Sequence, residues 1–331
     1  MSAKPLAMRD ALLARIRDAM AEDPSIFFAC ADFGSPVLDS IRAEHADRFV
    51  NVGIAEQNLI NISAGLALEG YKVFAYAIAP FITMRCYEQI RVSLALLSTV
   101  RPMNVNLIGV GAGYSYVVSG PTHQCYEDLT LMRAMPNMQV LSPADHVAAA
   151  AVFDRCSTQG GPKYVRLDAQ VLPVLYAEQA PDWNLGFCAR RSGGSLCLLA
   201  TGYMVHTAEK VAAKLADEGL QTGVIDLFDL GAFSREGLRA ELAGYAGVLS
   251  LEEGFRGRGG LDAMLGAFLR EQLPDLRYLN LGVEGSYRFE LGTRAQLHEA
   301  VGIGEQVVLQ KARAFASTLA ADAGAQAWGK Q

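Results

Sequence analysis

Residues 48–78 read RFVNVGIAEQNLINISAGLALEGYKVFAYAI, and the fold turns on how this stretch is parsed. RFVNVG is short, apolar and β-branched, so it reads as a strand. EQNLINISAGLALEG carries apolar residues at helical spacing, and YKVFAYAI returns to a strand. Strand, helix, strand within about 30 residues is the unit that builds parallel sheets. Glu56 falls where the first strand gives way to the helix. A helix N-terminus favours negative charge by at most about 1 kcal/mol. From this stretch alone, Glu56 therefore reads as a solvated first-turn acid.

The same alternation runs outward in both directions. SIFFACAD, RPMNVNLIGV, MQVLSPAD and PKYVRL read as further strands. FITMRCYEQIRVSLALLS, YEDLTLMRAM and HVAAAAVFDRCSTQ read as helices, and the N-terminal MSAKPLAMRDALLARIRDAM as an amphipathic one. From Ala169 to Gly194 the pattern breaks, with two prolines, mixed charge and a Gly pair. A second alternation follows, with strands SLCLLATG, QTGVIDLF, AGVLSLEEG and LRYLNLGV. The expected fold class is α/β, two domains, each a mostly parallel sheet flanked by helices. The expected boundaries are residues 1–170, a linker at 171–192, and 193–331.

Composition narrows the function. The chain has 331 residues, is 51% hydrophobic and carries a net charge of -6. It lacks a basic run, which argues against nucleic acid as a partner. Its six cysteines form no CxxC, fitting reduced thiols and a cytoplasmic setting. The N-terminus is too charged for a signal peptide, and no segment reaches the ~18 apolar residues of a membrane span. No protein-only metal site shows in the histidine and cysteine spacing; His45, His146, His206 and His298 read as surface or packing residues.

In parallel sheets, ligands gather beyond the C-terminal strand ends. Three polar loops fall there: ADFGSP (31–36), GIAEQN (53–58) and GPTHQ (120–124). GVGAGYSYVVSGPTHQ contains a GxG but not the P-loop spacing. His123 reads equally as a packing residue and as a placed proton donor or acceptor. Phe81 and Tyr87 at near-helical spacing read as core; Arg85 and Arg91 share their helix and read as solvated. LEEGFRGRGG in the second half reads as a salt-bridged, Gly-rich loop.

Taken together, RFVNVGIAEQN, YEQIRVS, SGPTHQCYEDLTLMRAMPNMQVLSPAD and LLATGYMVHTAEKVAAKLADEGLQTGVIDLF resemble the transketolase family, in particular its C-terminal half occurring as a separate chain. The resemblance spans nearly the whole sequence and replaces the solvated reading of Glu56. It implies that Glu56 hydrogen-bonds the pyrimidine ring of thiamine diphosphate and promotes the tautomer that removes the thiazolium proton. It implies that Phe81 stacks on that ring, that Asp32 lies near the thiazolium at a subunit contact, and that His123 contacts substrate oxygens. Arg9, Ser35 and Arg166 match positions that grip a sugar phosphate.

Two departures bear on substrate. Gly111 stands where the family usually places a phosphate-binding histidine, and Ser119 where it places an acid that reads sugar hydroxyls. The chain also has no GDG motif, which in the family binds the cofactor's Mg2+ and diphosphate. The resemblance therefore implies a partner chain, an N-terminal-half subunit supplying the metal ligands, in an α2β2 arrangement. The expected reaction is transfer of a two-carbon ketol unit from a ketose (phosphate) donor to an aldose acceptor, with altered specificity. Rival readings are the β subunit of a 2-oxo acid decarboxylase or dehydrogenase, and a non-catalytic partner subunit.

Overall fold

A computed structural model describes residues 5–32 and 34–328. The N-terminal half folds around six parallel strands: β1 (Ile26–Cys30), β2 (Phe49–Asn51), β3 (Lys72–Ile78), β4 (Asn104–Val110), β5 (Gln139–Leu141) and β6 (Gly161–Leu167), in the order β2-β1-β3-β4-β6-β5. Parallel strands need crossovers, and the helices that provide them cover both faces. On one face, Leu12, Leu13 and Ile16 of helix Met8–Glu22 pack with Phe28, Phe74 and Val152. On the other, Leu59 and Ile60 of helix Glu56–Leu68 pack with Val73, Ala75 and Leu107. The inner strands β1, β3, β4 and β6 are largely buried on both sides, which is why they read as near-continuous apolar runs.

The second sheet comprises β7 (Phe187–Arg191), β8 (Leu196–Ala200), β9 (Thr222–Leu227), β10 (Gly247–Phe255) and β11 (Arg277–Val283), in the order β11-β10-β8-β9-β7. All pairs are parallel except β7 with β9. β7 lies within the stretch read as linker. Its sequence, FCARR, is buried only at Phe187 and lies at a sheet edge, so it lacks the apolar run that marks the inner strands.

The rest of that stretch is also anchored. The Asp145 carboxylate, which caps helix His146–Thr158, accepts from Leu175 N at 2.7 Å and Tyr176 N at 2.9 Å. The Tyr176 hydroxyl then donates to Asp226 on β9 at 2.8 Å. The connector is thus pinned to the first domain by one carboxylate and to the second by another.

LEEG belongs to the strand AGVLSLEEG and not to the Gly-rich loop, because Glu252 and Glu253 are buried residues of β10. Neighbouring strand residues point to opposite faces. Glu252 accepts from Leu261 N and Asp262 N, at 2.9 and 2.8 Å, at the start of helix Leu261–Gln272. Glu253 faces the first domain and takes its partners from beyond its own loop. Arg294 donates to it at 3.0 and 2.6 Å, and its Oε1 lies 2.6 Å from His298 Nε2. Arg294 also donates to Asp168, just past β6, at 2.5 Å. The two domains are therefore joined by a buried network of charged groups. His298 is part of that junction, whereas His45, His146 and His206 are packing residues of the interior.

Burial pushes the Asp226 carboxyl up to about 7, against the weaker lowering effects of the Tyr176 hydroxyl and Arg190. Since its ordinary value is 3.8, the folded chain holds more protons than the unfolded chain between about pH 4 and 7. Stability from this group is full below that window and falls as pH rises through it, at up to ~1.4 kcal/mol per pH unit. Asp226→Asn keeps an acceptor for Tyr176 and removes the titration. Chemical denaturation from pH 4 to 8 should show the variant overtaking the wild type as pH rises; parallel profiles would contradict this.

Candidate active site

The C-terminal ends of β1 to β4 bring the expected loops to one rim of the first sheet. Glu56 is the first residue of helix Glu56–Leu68, so its carboxylate sits where unpaired backbone N–H groups favour negative charge. Unlike a solvated first-turn acid, its side chain is only 5% exposed. The preceding Gly53, at φ 75, makes the turn from β2 that carries it inward.

Glu56 is met by Arg85, whose Nη1 donates to Oε2 at 2.6 Å. The Arg85 guanidinium also lies over the Phe81 ring, 4.5 Å from its centroid. Phe81 and Arg85 begin and end a stretch of π-helix that follows β3, with a second such stretch at Ile90–Leu96. Wide turns of this kind are rare and concentrate at functional sites. Arg85 lies 29 positions from Glu56, and helical periodicity alone assigns it to solvent.

From Phe81 the row continues. His123 packs edge-on to it with ring centroids 5.3 Å apart, and its Nδ1 is 3.0 Å from Thr122 Oγ1. Tyr116 follows, edge-on to His123 at 6.3 Å. Burial lifts the Tyr116 phenol to about 12, with nearby Arg9 pulling the other way, so it stays a neutral donor at physiological pH. Asp32, past the end of β1, is exposed, and its backbone N–H donates to Gly53 O at 3.2 Å. Phe33 of the same loop lies outside the described residues.

Glu56, Phe81, His123, Asp32 and Arg9 thus border this rim, with Arg85 and Tyr116 as additions that the sequence reading did not anticipate. Ser35 is the N-cap of helix Pro36–Glu44; its hydroxyl accepts from Leu38 N at 3.2 Å and is buried. Arg166 departs from expectation. Its side chain is 2% exposed and its Nε donates to Asp128 at 2.7 Å, which also accepts from the Tyr164 hydroxyl at 2.8 Å. A guanidinium already neutralised in the interior is a structural ion pair and cannot reach a sugar phosphate without breaking that pair.

Tyr116 accounts for one of the sequence departures. At Gly111, which has φ 107, any Cβ would run into the Tyr116 ring. The aromatic ring fills the space that a larger residue would need. A 410 Å3 cavity elsewhere, lined by Tyr126, Glu127, Leu131, Phe255 and Tyr287, touches none of the expected site residues. Among the described residues, no group of three His, Cys, Asp or Glu side chains is placed to hold a metal ion.

Comparison with known proteins gives the family. Residues 4–174 match the transketolase pyrimidine binding domain and residues 188–308 the transketolase C-terminal domain, so the chain belongs to the transketolase family. It is 30% identical over 270 residues to an apulose-4-phosphate transketolase subunit of Actinobacillus succinogenes, covering 81% of this chain and 85% of that one. It is 30% identical over 267 residues to the 6-deoxy-6-sulfo-D-fructose transketolase subunit SqwH of a Clostridium species, covering 80% of each. A split-gene transketolase solved as an inactive β4 tetramer superposes with a TM-score of 0.81 at 30% identity, over 93% of this chain and 98% of that one. Transketolase from Pichia stipitis shares the fold, with a TM-score of 0.76 at 20% identity; this chain spans 46% of its length.

Gly111→Ala should lower the unfolding free energy by ~1–3 kcal/mol, from a left-handed backbone and the clash with Tyr116. Adding Tyr116→Ala should relieve the clash and leave the backbone cost. Denaturation of the two variants checks this; equal losses in both would show that the ring is not the obstacle.

Proposed function

We propose that this chain is the small, C-terminal-half subunit of a split transketolase-like enzyme. It would transfer a two-carbon ketol unit from a ketose (phosphate) donor to an aldose acceptor, in the cytoplasm, with thiamine diphosphate held between it and an N-terminal-half partner. The observation that carries the reading is the pairing of buried Glu56 with a planar group lying over Phe81. The Arg85 guanidinium is a flat, nitrogen-bearing donor that makes one contact to a carboxylate and another to an aromatic face. An aminopyrimidine ring has the same planarity and an edge nitrogen able to share a proton with the carboxyl, so the two side chains fit it.

When bound, the cofactor supplies a carbon nucleophile for the ketose carbonyl. The protein side of the reaction is proton placement. Glu56 would hold a proton at the ring nitrogen, in a spot dry enough for that bond to be strong. Phe81 would fix the plane of the ring. His123, standing next along the row, would exchange hydrogen bonds with substrate oxygens at the reacting carbons, and Asp32 would border the cofactor at the subunit contact. Arg9, further out and paired with Asp10 at 2.7 Å, would meet an anionic substrate end, with Ser35 near the same rim.

The partner requirement has support of its own. The rim is flanked by exposed apolar side chains: Ile54, Met84, Val92, Leu96 and Val100. Gln57 donates to Arg85 O, and Ser93 to Asn61, so helix Glu56–Leu68 and the 81–99 segment present one continuous face. Such a face beside a half-site suits burial against another chain. The Mg2+ and diphosphate would be bound by that chain, in an α2β2 assembly.

Substrate choice is where this chain should differ from ordinary transketolases. Two relatives are named for unusual sugars, apulose 4-phosphate and a 6-sulfo sugar, and Tyr116 fills the Gly111 corner of this site. We read the substrate as a sugar, or sugar phosphate, with a different hydroxyl or charge pattern at that end.

Glu56→Gln in the reconstituted enzyme should cut turnover by at least ~100-fold, the scale of losing one proton partner, while the isolated chain keeps its melting temperature within a few degrees. Steady-state assays across a panel of ketose donors and aldose acceptors check it. Retained turnover would remove Glu56 from the mechanism.

A further inference from the structure

We infer that Arg85 is a placeholder: it holds Glu56 and Phe81 in their cofactor-ready positions and must yield its place when the aminopyrimidine ring arrives. The inference rests on the proposed roles of Glu56 and Phe81 and adds a residue to which those roles are coupled.

Arg85 lies over the Phe81 ring at 4.5 Å and takes Glu56 Oε2 at 2.6 Å. An aminopyrimidine needs the same aromatic face and a lobe of the same carboxylate. Two planar groups cannot share one face at that spacing, so ring and guanidinium compete. Arginine suits the substitution because its guanidinium is flat, forked and weakly hydrated, and because it stacks on aromatic faces.

The device solves a problem inherent in a half-site. A carboxylate buried without a partner is costly, and so is a bare aromatic face beside it. In the chain on its own, Arg85 neutralises the first and covers the second. The geometry also permits an exit. The Arg85 side chain is 44% exposed while Glu56 is 5% exposed, so the arginine closes the solvent side of the carboxylate and can leave by that side. Gln57 Nε2 donates to the Arg85 carbonyl at 3.1 Å, pinning the backbone. Movement is therefore confined to side-chain torsions.

Because cofactor binding must displace this contact, the measured affinity is lowered by the fraction of time that Arg85 occupies the site. Removing the competitor should strengthen binding, whereas removing an ordinary ligand contact would weaken it. Isothermal titration of thiamine diphosphate with Mg2+ into the chain mixed with its N-terminal-half partner tests this. Arg85→Ala should tighten dissociation about tenfold. Arg85→Lys, which keeps the charge without the plane, should tighten it less and serves if the alanine variant folds poorly.

A second readout uses the chain alone. Arg85→Ala should lower its melting temperature, and adding Glu56→Gln should restore part of the loss, since the buried charge has then gone. If the wild-type mixture binds cofactor and both Arg85 variants bind equally or more weakly, the placeholder inference is overturned and the reading of Glu56 stands. If the wild-type mixture binds none, the reading beneath fails and carries this inference with it.

Discussion

The Glu253 carboxylate is the contact on which the two domains and the site loop jointly depend. It is buried on β10, yet it is paired with Arg294 and His298 and also accepts from the Tyr114 backbone N–H at 3.3 Å. Burial alone would push it up; Arg294 and His298 outweigh this and hold it well below the carboxylate range. Tyr114 belongs to the loop that runs from β4 to His123. One charge on the second sheet therefore fixes the start of a loop that ends in the first domain's site. Gly113 lets the chain pass close, since a Cβ at its φ of 55 would strike the Glu253 side chain. Breaking such a pair from one side strands a buried charge, at ~3–5 kcal/mol.

Around that junction the site is built in a row. Glu56, Arg85, Phe81, His123 and Tyr116 come from three different strand ends, and each contacts the next through a hydrogen bond or ring packing. A parallel sheet makes this possible because all its C-terminal ends face one way. The chemistry then depends on how polar groups at that rim are dried and partnered. Glu56 is dry through its helix position and its arginine, while Asp32 is open to solvent at the edge and Arg9, half-buried, is paired with Asp10.

Much of this was legible in the sequence because local pattern and tertiary outcome agree. Each inner strand is an apolar run, and VGIAEQN places its acid at a helix start with a Gly turn before it. The rest was hidden for identifiable physical reasons. β7 is an edge strand with two arginines, so it carries no burial signal. Glu253 finds Arg294 across 41 positions, which no local spacing could indicate. Position in a motif points Arg166 at phosphate, yet its direction on β6 is not readable from that motif, and it turns inward to Asp128. Arg85 was hidden by its helix, because α-helical spacing does not describe π-helical turns.

Those wide turns have a consequence for how the chain tolerates change in length. A π turn accommodates about one residue more than an α turn. Deleting a single residue between Phe81 and Arg85 would let that stretch rewind as α-helix, keeping the register beyond it but removing the widening that sets Arg85 against Glu56 and Phe81. Tyr87, whose hydroxyl donates to Leu131 O at 3.1 Å, would keep its neighbour, while Arg85 would lose its place in the row. The segment therefore tolerates substitutions more readily than a shift in count, and its length acts as a hidden part of the active site.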